Sequence, residues 1–282
     1  MVAITLFLLP LFSISEDLNF KTLLDPNFTK FHEEHETFSY RENLKFDFLK
    51  SHSQEISPIV VSIHGGSWQG GNRTDLLGYD ELFTEAGFHV VKMSYSFAPK
   101  HFFPSAVEDV CHLLETLENE SKKMRIDMTK IVLFGRSAGG QIALSVPQKC
   151  RFKISAIISH YAPTDLVWGY QNSKWWHIID GKKIISEYIG KDFLSSSQAY
   201  IEASPALHIT PKFPPTFIAH GVNDELVSEK HAHFLFDALQ KNRVPAELFL
   251  LPWSTHGFDF FWNGPSAQAT FRKSLAFIKK YI

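Results

Sequence analysis

Charge of either sign is scarce in this chain, and so is cysteine. Charged residues fill 21% of the 282 positions, with 28 Lys+Arg against 30 Asp+Glu and a formal net charge of -2. That balance excludes the basic footprint of a nucleic-acid binder. A charged fraction this low, beside 44% hydrophobic residues, excludes a disordered chain. The two cysteines, Cys111 and Cys150, cannot build a disulfide framework. A chain of this length can bury a core without such staples. Both lie in or just after helical-looking stretches and read as buried free thiols, with one bridge between them left open. Internal repeats, low-complexity tracts and Pro/Gly/Ser-rich linkers are also missing.

One apolar run stands out, at residues 1–15. It is too short to span a bilayer as a helix, and Pro10 interrupts it. Its length suits a signal-peptide core, with Ser13 and Ser15 as small residues before Glu16, although a positively charged start is lacking. Residues 1–20 are therefore expected to be a signal peptide or membrane anchor, with the protein secreted or membrane-associated through its N-terminus. A truncated membrane segment, or a buried N-terminal piece of a cytoplasmic protein, is the alternative. Three acceptor sequons, at Asn27, Asn72 and Asn119, argue only weakly for secretion. What the chain has in excess is phenylalanine: 26 Phe against 6 Trp and 8 Tyr.

Beyond the N-terminus, short apolar runs alternate with amphipathic stretches. Thr37 to Tyr40 and Leu44 to Phe48 read as a hairpin turning at Glu42 and Asn43. Strands are expected at Pro58–Ile63, His89–Tyr95, Lys130–Phe134 (stopped by Gly135), Ile154–His160, Pro215–His220 and Ala246–Leu251. Helices are expected at Ser105–Leu117, Ala138–Val146, Glu229–Lys241 and Ser266–Ile282. Such alternation implies an α/β fold, with a mostly parallel sheet covered on both faces. Residues 21–282 form a single domain in this reading. Residues 166–203 break the rhythm and read as a cap-like insertion carrying Trp168, Trp175, Trp176 and Tyr188.

Gly135-Arg136-Ser137-Ala138-Gly139 follows a strand and opens a helix. A turn this tight exposes the apex side chain, so Ser137 is the candidate nucleophile, with a helix N-terminus behind it favouring developing negative charge. His64-Gly65-Gly66-Ser67-Trp68 ends another strand. Backbone amides of Gly65 and Gly66, with that of Ala138, are candidates for an oxyanion hole. His64 is expected to hold the loop by hydrogen bonds. Serine needs a base. Of 14 histidines, His256 follows the last strand, and Asp224 follows the strand before it, in the chain order Ser, acid, His. Glu225 competes with Asp224 as the acid. His220 is expected to end its strand rather than react. His32 and His35, beside Glu33 and Glu34, read as a solvated polar stretch, and no set of residues has convincing metal spacing.

These motifs, with Gly140, Gly221-Val222-Asn223-Asp224 and Pro252-Trp253-Ser254-Thr255-His256-Gly257-Phe258, resemble the α/β-hydrolase superfamily from about Thr37 onward. The likeness is to its esterase/lipase branch, which includes hormone-sensitive-lipase-like and feruloyl-esterase-like carboxylesterases. It implies a Ser-Asp-His triad, a small-molecule ester substrate and no cofactor. Ser67 stands where many relatives have a third glycine, and Arg136 where many lipases have His or Asp, so acyl and alcohol preferences stay open. His-Gly-Gly-x-Trp also resembles kynurenine formamidases, so an arylformamidase, or a peptidase, is the rival on the same triad. A non-catalytic hydrolase-like binding protein is a third reading. Trp68 and Phe258 are the candidate substrate-binding residues, with core packing as the equal alternative for each and packing beneath His256 as the alternative for Phe258, Phe260 and Phe261. Phe97, Phe102, Phe103, Phe260 and Phe261 are further site candidates, and most other Phe residues are assigned to core packing.

Overall fold

The computed structural model describes residues 35–53, 55–75, 78–173 and 180–282. The N-terminal segment 1–20, Asn27, His32, Trp175 and Trp176 lie outside the described residues. The hairpin forms: β1 (His35–Arg41) and β2 (Leu44–Leu49) pair antiparallel, and Asn43 turns the chain with a φ of 63°. Asn tolerates that left-handed conformation because its short amide can bond locally.

The remaining strands are β3 (Ser57–Ile63), β4 (His89–Met93), β5 (Ile126–Arg136), β6 (Ala156–His160), β7 (Thr216–Gly221) and β8 (Ala246–Leu251). They form one eight-stranded sheet in the order β1-β2-β4-β3-β5-β6-β7-β8. All pairs from β4 to β8 are parallel, and β1 and β2 are antiparallel additions at one edge. The helices are α1 (Leu82–Glu85), α2 (Ser105–Met124), α3 (Ala138–Lys149), α4 (Leu166–Asn172), α5 (Gly181–Ile189), α6 (Ser197–Glu202), α7 (Lys230–Lys241) and α8 (Pro265–Ile278).

Successive residues of a strand point to opposite faces, and the core divides accordingly. Ile59, Val61, Ile63, Ile131 and Leu133 pack with α2, α3 and α7 on one face. Val60, Val132, Phe134 and Phe217 pack with Phe83 of α1 and with Ala267 and Phe277 of α8 on the other. A strand buried on both faces carries an unbroken apolar run, which is why these strands were legible.

Some boundaries differ from expectation. The β5 strand does not stop before Gly135, because Ile63 pairs with Gly135 and Arg136 pairs with His160. The α2 helix continues past Leu117 through Glu118, Asn119 and Glu120, where the apolar periodicity has ended and exposed helix formers carry it on. Cys111 and Cys150 are not free thiols. They are bridged, with Cα atoms 5.4 Å apart, joining α2 to the end of α3. Sequence spacing shows each cysteine's own helix but not that the two helices lie side by side.

Between β6 and β7, α4, α5 and α6 replace the usual single crossover helix. Leu166, Ile185, Tyr188, Ile189 and Tyr200 belong to the same apolar cluster as the sheet face below. No helix among the described residues is long and apolar enough to cross a membrane.

The bridge closes a separation of 39 residues, so a double Cys111→Ser, Cys150→Ser variant should lose about 2–4 kcal/mol of stability. Thermal unfolding of the variant, and of wild type with and without reductant, checks this. Identical melting under all conditions would mean the bridge contributes nothing.

Candidate active site

Four loops leave the carboxyl ends of parallel strands at the same edge of the sheet, where open α/β sheets place ligands. They follow β3, β5, β7 and β8 and carry, in turn, His64 to Trp68, Ser137, Asp224 and His256.

Ser137 sits at the apex between β5 and α3, with φ 53° and ψ -122°. A non-glycine residue held there is strained by about 1–3 kcal/mol. The surroundings impose it: α3 starts so close to the end of β3 that a Cβ at Gly139 would collide with the carbonyls of Ile63 and His64. His256 Nε2 stands 3.0 Å from Ser137 Oγ, and His256 Nδ1 stands 2.7 Å from Asp224 Oδ2. A carboxylate only accepts. The imidazole therefore carries its proton on Nδ1 and presents the Nε2 lone pair to the serine hydroxyl.

Asp224 is thoroughly satisfied. Its Oδ1 accepts the amides of Leu226 (2.9 Å) and Val227 (2.8 Å). Its Oδ2 also lies 3.3 Å from His220 Nε2, which hydrogen-bonds the Val227 carbonyl at 2.8 Å. Burial alone would raise the carboxyl pKa, but the hydrogen bonds from His220 and His256 hold it well below the usual range. His220 ends its strand as expected and in addition braces the acid. Glu225 is exposed and lines the cavity instead of meeting His256.

The loop after β3 is shaped by its own backbone. Gly66 has φ 113°, and a Cβ there would run into the Gly70 carbonyl. Ser67 and Trp68 follow with φ 54° and 60°. His64 Nδ1 bonds the Gly65 carbonyl at 2.7 Å, its ring stacks on Tyr95, and the Tyr95 hydroxyl donates to the His64 and Gly65 carbonyls. A Cβ at Gly65 would stand 3.2 Å from Ser137 Cβ, so this loop lies against Ser137. The amides of Gly65, Gly66 and Ala138 have no acceptor among the described residues.

Trp68 is pinned. Its Nε1 donates to Gln141 Oε1 (3.0 Å), which also accepts from the Tyr188 hydroxyl (2.9 Å), and the indole stacks on the Tyr188 ring at 4.3 Å. Gln141 Nε2 donates to the Ala203 carbonyl, and Gln69 Nε2 to Glu187. The loop, α3 and the insertion are thereby one hydrogen-bonded unit. Trp68 still borders a cavity of about 480 Å³ that reaches Ser137, Ala138 and Asp224. Phe258 does not border it: its ring packs edge-on to Tyr161 and against His160, beneath the histidine loop. Phe260 and Phe261 are each 63% exposed, and Phe97 and Phe103 pack on Tyr95 and Tyr188.

Arg136 points the opposite way from Ser137, into the core, at 2% exposure. Its Nε donates to Asp259 Oδ2 (2.7 Å) and its Nη2 to Asp80 Oδ1 (2.6 Å), and the guanidinium lies 4.1 Å over the Phe134 ring. Asp259 also accepts from His160 Nδ1 (2.9 Å) and from the Tyr161 hydroxyl. Tyr161 in turn packs its ring 4.6 Å from that of His256. Burial of Asp259 opposes ionisation, and the Arg136 charge overrides it, holding the carboxyl well below its ordinary range. Arg136 thus stands away from the cavity, and its bearing is on architecture. Asp80, Tyr161 and Asp259 carried no sequence motif that would have singled them out. Among the described residues no group of three or more His, Cys, Asp and Glu side chains could hold a metal ion.

Two outcomes follow. Asp259→Ala leaves Arg136, His160 and Tyr161 with unmet buried groups and should cost about 3–5 kcal/mol in urea unfolding; a change under 1 kcal/mol would show the cluster to be dispensable. His64, His89, His160 and His231 are all lowered by burial, His231 to about 3. Between the ordinary histidine value of about 6.5 and these lowered values, the unfolded chain binds more protons. Stability should therefore fall as pH drops below about 6.5, and constant unfolding free energy from pH 7 to 4.5 would contradict the burial of neutral imidazoles.

Comparison with known proteins completes the site's context. The BD-FAE family model matches residues 47–239. The chain is 26% identical to a Mycobacterium tuberculosis protein named "Probable carboxylic ester hydrolase LipM", over 75% of this chain and 52% of the relative. It is 26% identical to an esterase of Gibberella moniliformis, over 79% of this chain and 74% of the relative. It spans about half the length of LipM. Among solved structures it resembles carboxyl esterase 2 of Tuber melanosporum, with a TM-score of 0.75 at 22% identity over 89% of each chain. That last likeness is one of fold, the α/β-hydrolase fold.

Proposed function

The chain belongs to the BD-FAE family, and from that premise we propose that it is a carboxylic ester hydrolase acting through an acyl-enzyme on Ser137. The observation that carries the reading is the unbroken line from Ser137 Oγ through His256 to Asp224, at 3.0 and 2.7 Å.

In this mechanism the Ser137 oxygen attacks the ester carbonyl carbon while its proton passes to His256 Nε2. Asp224 stabilises the imidazolium and keeps it aligned. The carbonyl oxygen becomes an oxyanion beside the free amides of Gly65, Gly66 and Ala138, where each donor is worth about 3 kcal/mol in the transition state. Collapse breaks the bond to the alcohol oxygen, which leaves with the proton from His256. Water, deprotonated by His256, then attacks the acyl-enzyme, and the acid product departs as Ser137 regains its proton. The strained apex places Oγ in the open before substrate arrives, so little reorganisation remains for the chemical step.

A fluorophosphonate probe should label the protein at Ser137, and Ser137→Ala should abolish labelling and lower kcat on p-nitrophenyl esters at least about 10³-fold. Folded protein that neither reacts with the probe nor turns over an ester would overturn the proposal. Turnover of N-formyl-kynurenine far above that of the ester would replace it with the arylformamidase reading.

A further inference from the structure

Inside the cavity, one polar group has no use in the triad. His231, on α7, is 4% exposed and forms part of the cavity wall together with Leu166, Gly169, Ile184 and Ile185. Two backbone amides converge on its Nδ1, from Thr164 at 3.2 Å and Asp165 at 3.3 Å. A nitrogen that receives two N–H donors must present its lone pair. The ring proton is therefore on Nε2. That nitrogen has no hydrogen-bond partner among the described residues. Trp168 stands perpendicular to the ring at 5.2 Å, and Thr164 Oγ1 donates to the main-chain carbonyl of His231, so both the ring and its backbone are fixed against residues 164–168.

We propose that His231 is a substrate-recognition residue, whose Nε2–H selects esters carrying an uncharged oxygen acceptor on the group lodged in the cavity. The chemical class is an ester with a hydroxyl, ether or carbonyl oxygen along that group. This inference rests on the ester-hydrolase reading of the same site. Three features of the wall support it. A purely aliphatic group would cover the N–H without an acceptor, which is unfavourable for a buried donor. A carboxylate would meet only a neutral donor there, since the cationic Lys230 and the anionic Glu225 that also line the cavity are both exposed. The surrounding Leu166, Ile184 and Ile185 suit the carbon skeleton on either side of a single oxygen. His231 remains neutral under working conditions because burial holds its pKa at about 3, so the donor does not change with pH.

Isosteric substrates test this. p-Nitrophenyl hexanoate, 3-ethoxypropanoate and 4-methoxybutanoate differ only in exchanging a methylene for oxygen. Acetates of 1-hexanol and 3-ethoxypropan-1-ol make the same exchange on the alcohol side, followed by pH-stat. Each rate is divided by that of alkaline hydrolysis to remove inductive effects. Wild type should favour at least one oxygen isostere by about three- to tenfold in kcat/KM, as expected for one hydrogen bond. His231→Phe should erase that preference, bringing the kcat/KM ratio of each oxygen isostere to hexanoate to about one whatever the variant's absolute turnover. His231→Gln, which offers both a carbonyl for the two amides and an N–H, should retain part of it. If wild type treats oxygen and methylene alike on both sides, the proposal falls, and this holds even if the Phe variant does not fold. If no ester is hydrolysed at all, it is the ester-hydrolase reading that fails.

Discussion

A single guanidinium buried behind Ser137 holds the site's two halves together. Arg136 and Ser137 are neighbours in sequence and face opposite ways at the end of β5. Arg136 grips Asp259, three residues beyond His256, and Asp80, in the segment before α1. The loop that carries His256 is thereby tethered to the strand that presents Ser137. A lone buried guanidinium would be prohibitively costly, and two carboxylates with stacked aromatic rings make it tolerable. The cluster contains one more carboxylate than guanidinium, and Tyr161, which shares it, touches the His256 ring. Anchoring of this kind lets the loop after β8 keep a hydrogen-bonding geometry that a free loop would sample only part of the time.

A second, uncharged anchor organises the other wall. Gln141 lies one turn into α3 from Ser137 and accepts from both Trp68 and Tyr188. The glycine loop, α3 and α5 are therefore tied together by hydrogen bonds, and the insertion is part of the site's construction. A polar network of this kind specifies one arrangement when every member is satisfied. Trp68 owes its position to that network, which explains why an aromatic residue at the cavity edge is also buried.

The architecture was legible to the degree that it depends on periodicity and turn chemistry. Apolar β-branched runs revealed β3 to β7, which lie inside the sheet and are buried on both faces, while β8 at the edge is mostly half-buried and showed only as an apolar run. Asn43 announced the hairpin, and the glycines around Ser137 announced the apex. Legibility ended where neighbours come from distant segments. The Cys111–Cys150 bridge depends on α2 lying beside α3. Phe258 stands two residues after His256 and was open between cavity and core; its ring turns under the loop to meet Tyr161 and His160. Arg136 left the acyl and alcohol preferences open, and it is a core ion that does not line the cavity. His220 looked like a strand end and also braces Asp224. The abundant phenylalanines are mainly structural: Phe83, Phe88, Phe134 and Phe217 are fully buried within the core cluster under α1 and α8.

The chain order of serine, acid and histidine, the glycines that permit close approach, and the alternation of strand and helix are properties of the sequence alone. They suffice to single out Ser137, Asp224 and His256 as candidates, because backbone sterics and hydrophobic periodicity act over a few residues. Which acid meets His256, which nitrogen of His231 carries the proton, and what neutralises Arg136 were decided only by the tertiary structure. Those outcomes rest on hydrogen bonds and buried charges between groups tens of residues apart. Their geometry exists only once the sheet has brought the four loop ends to one edge.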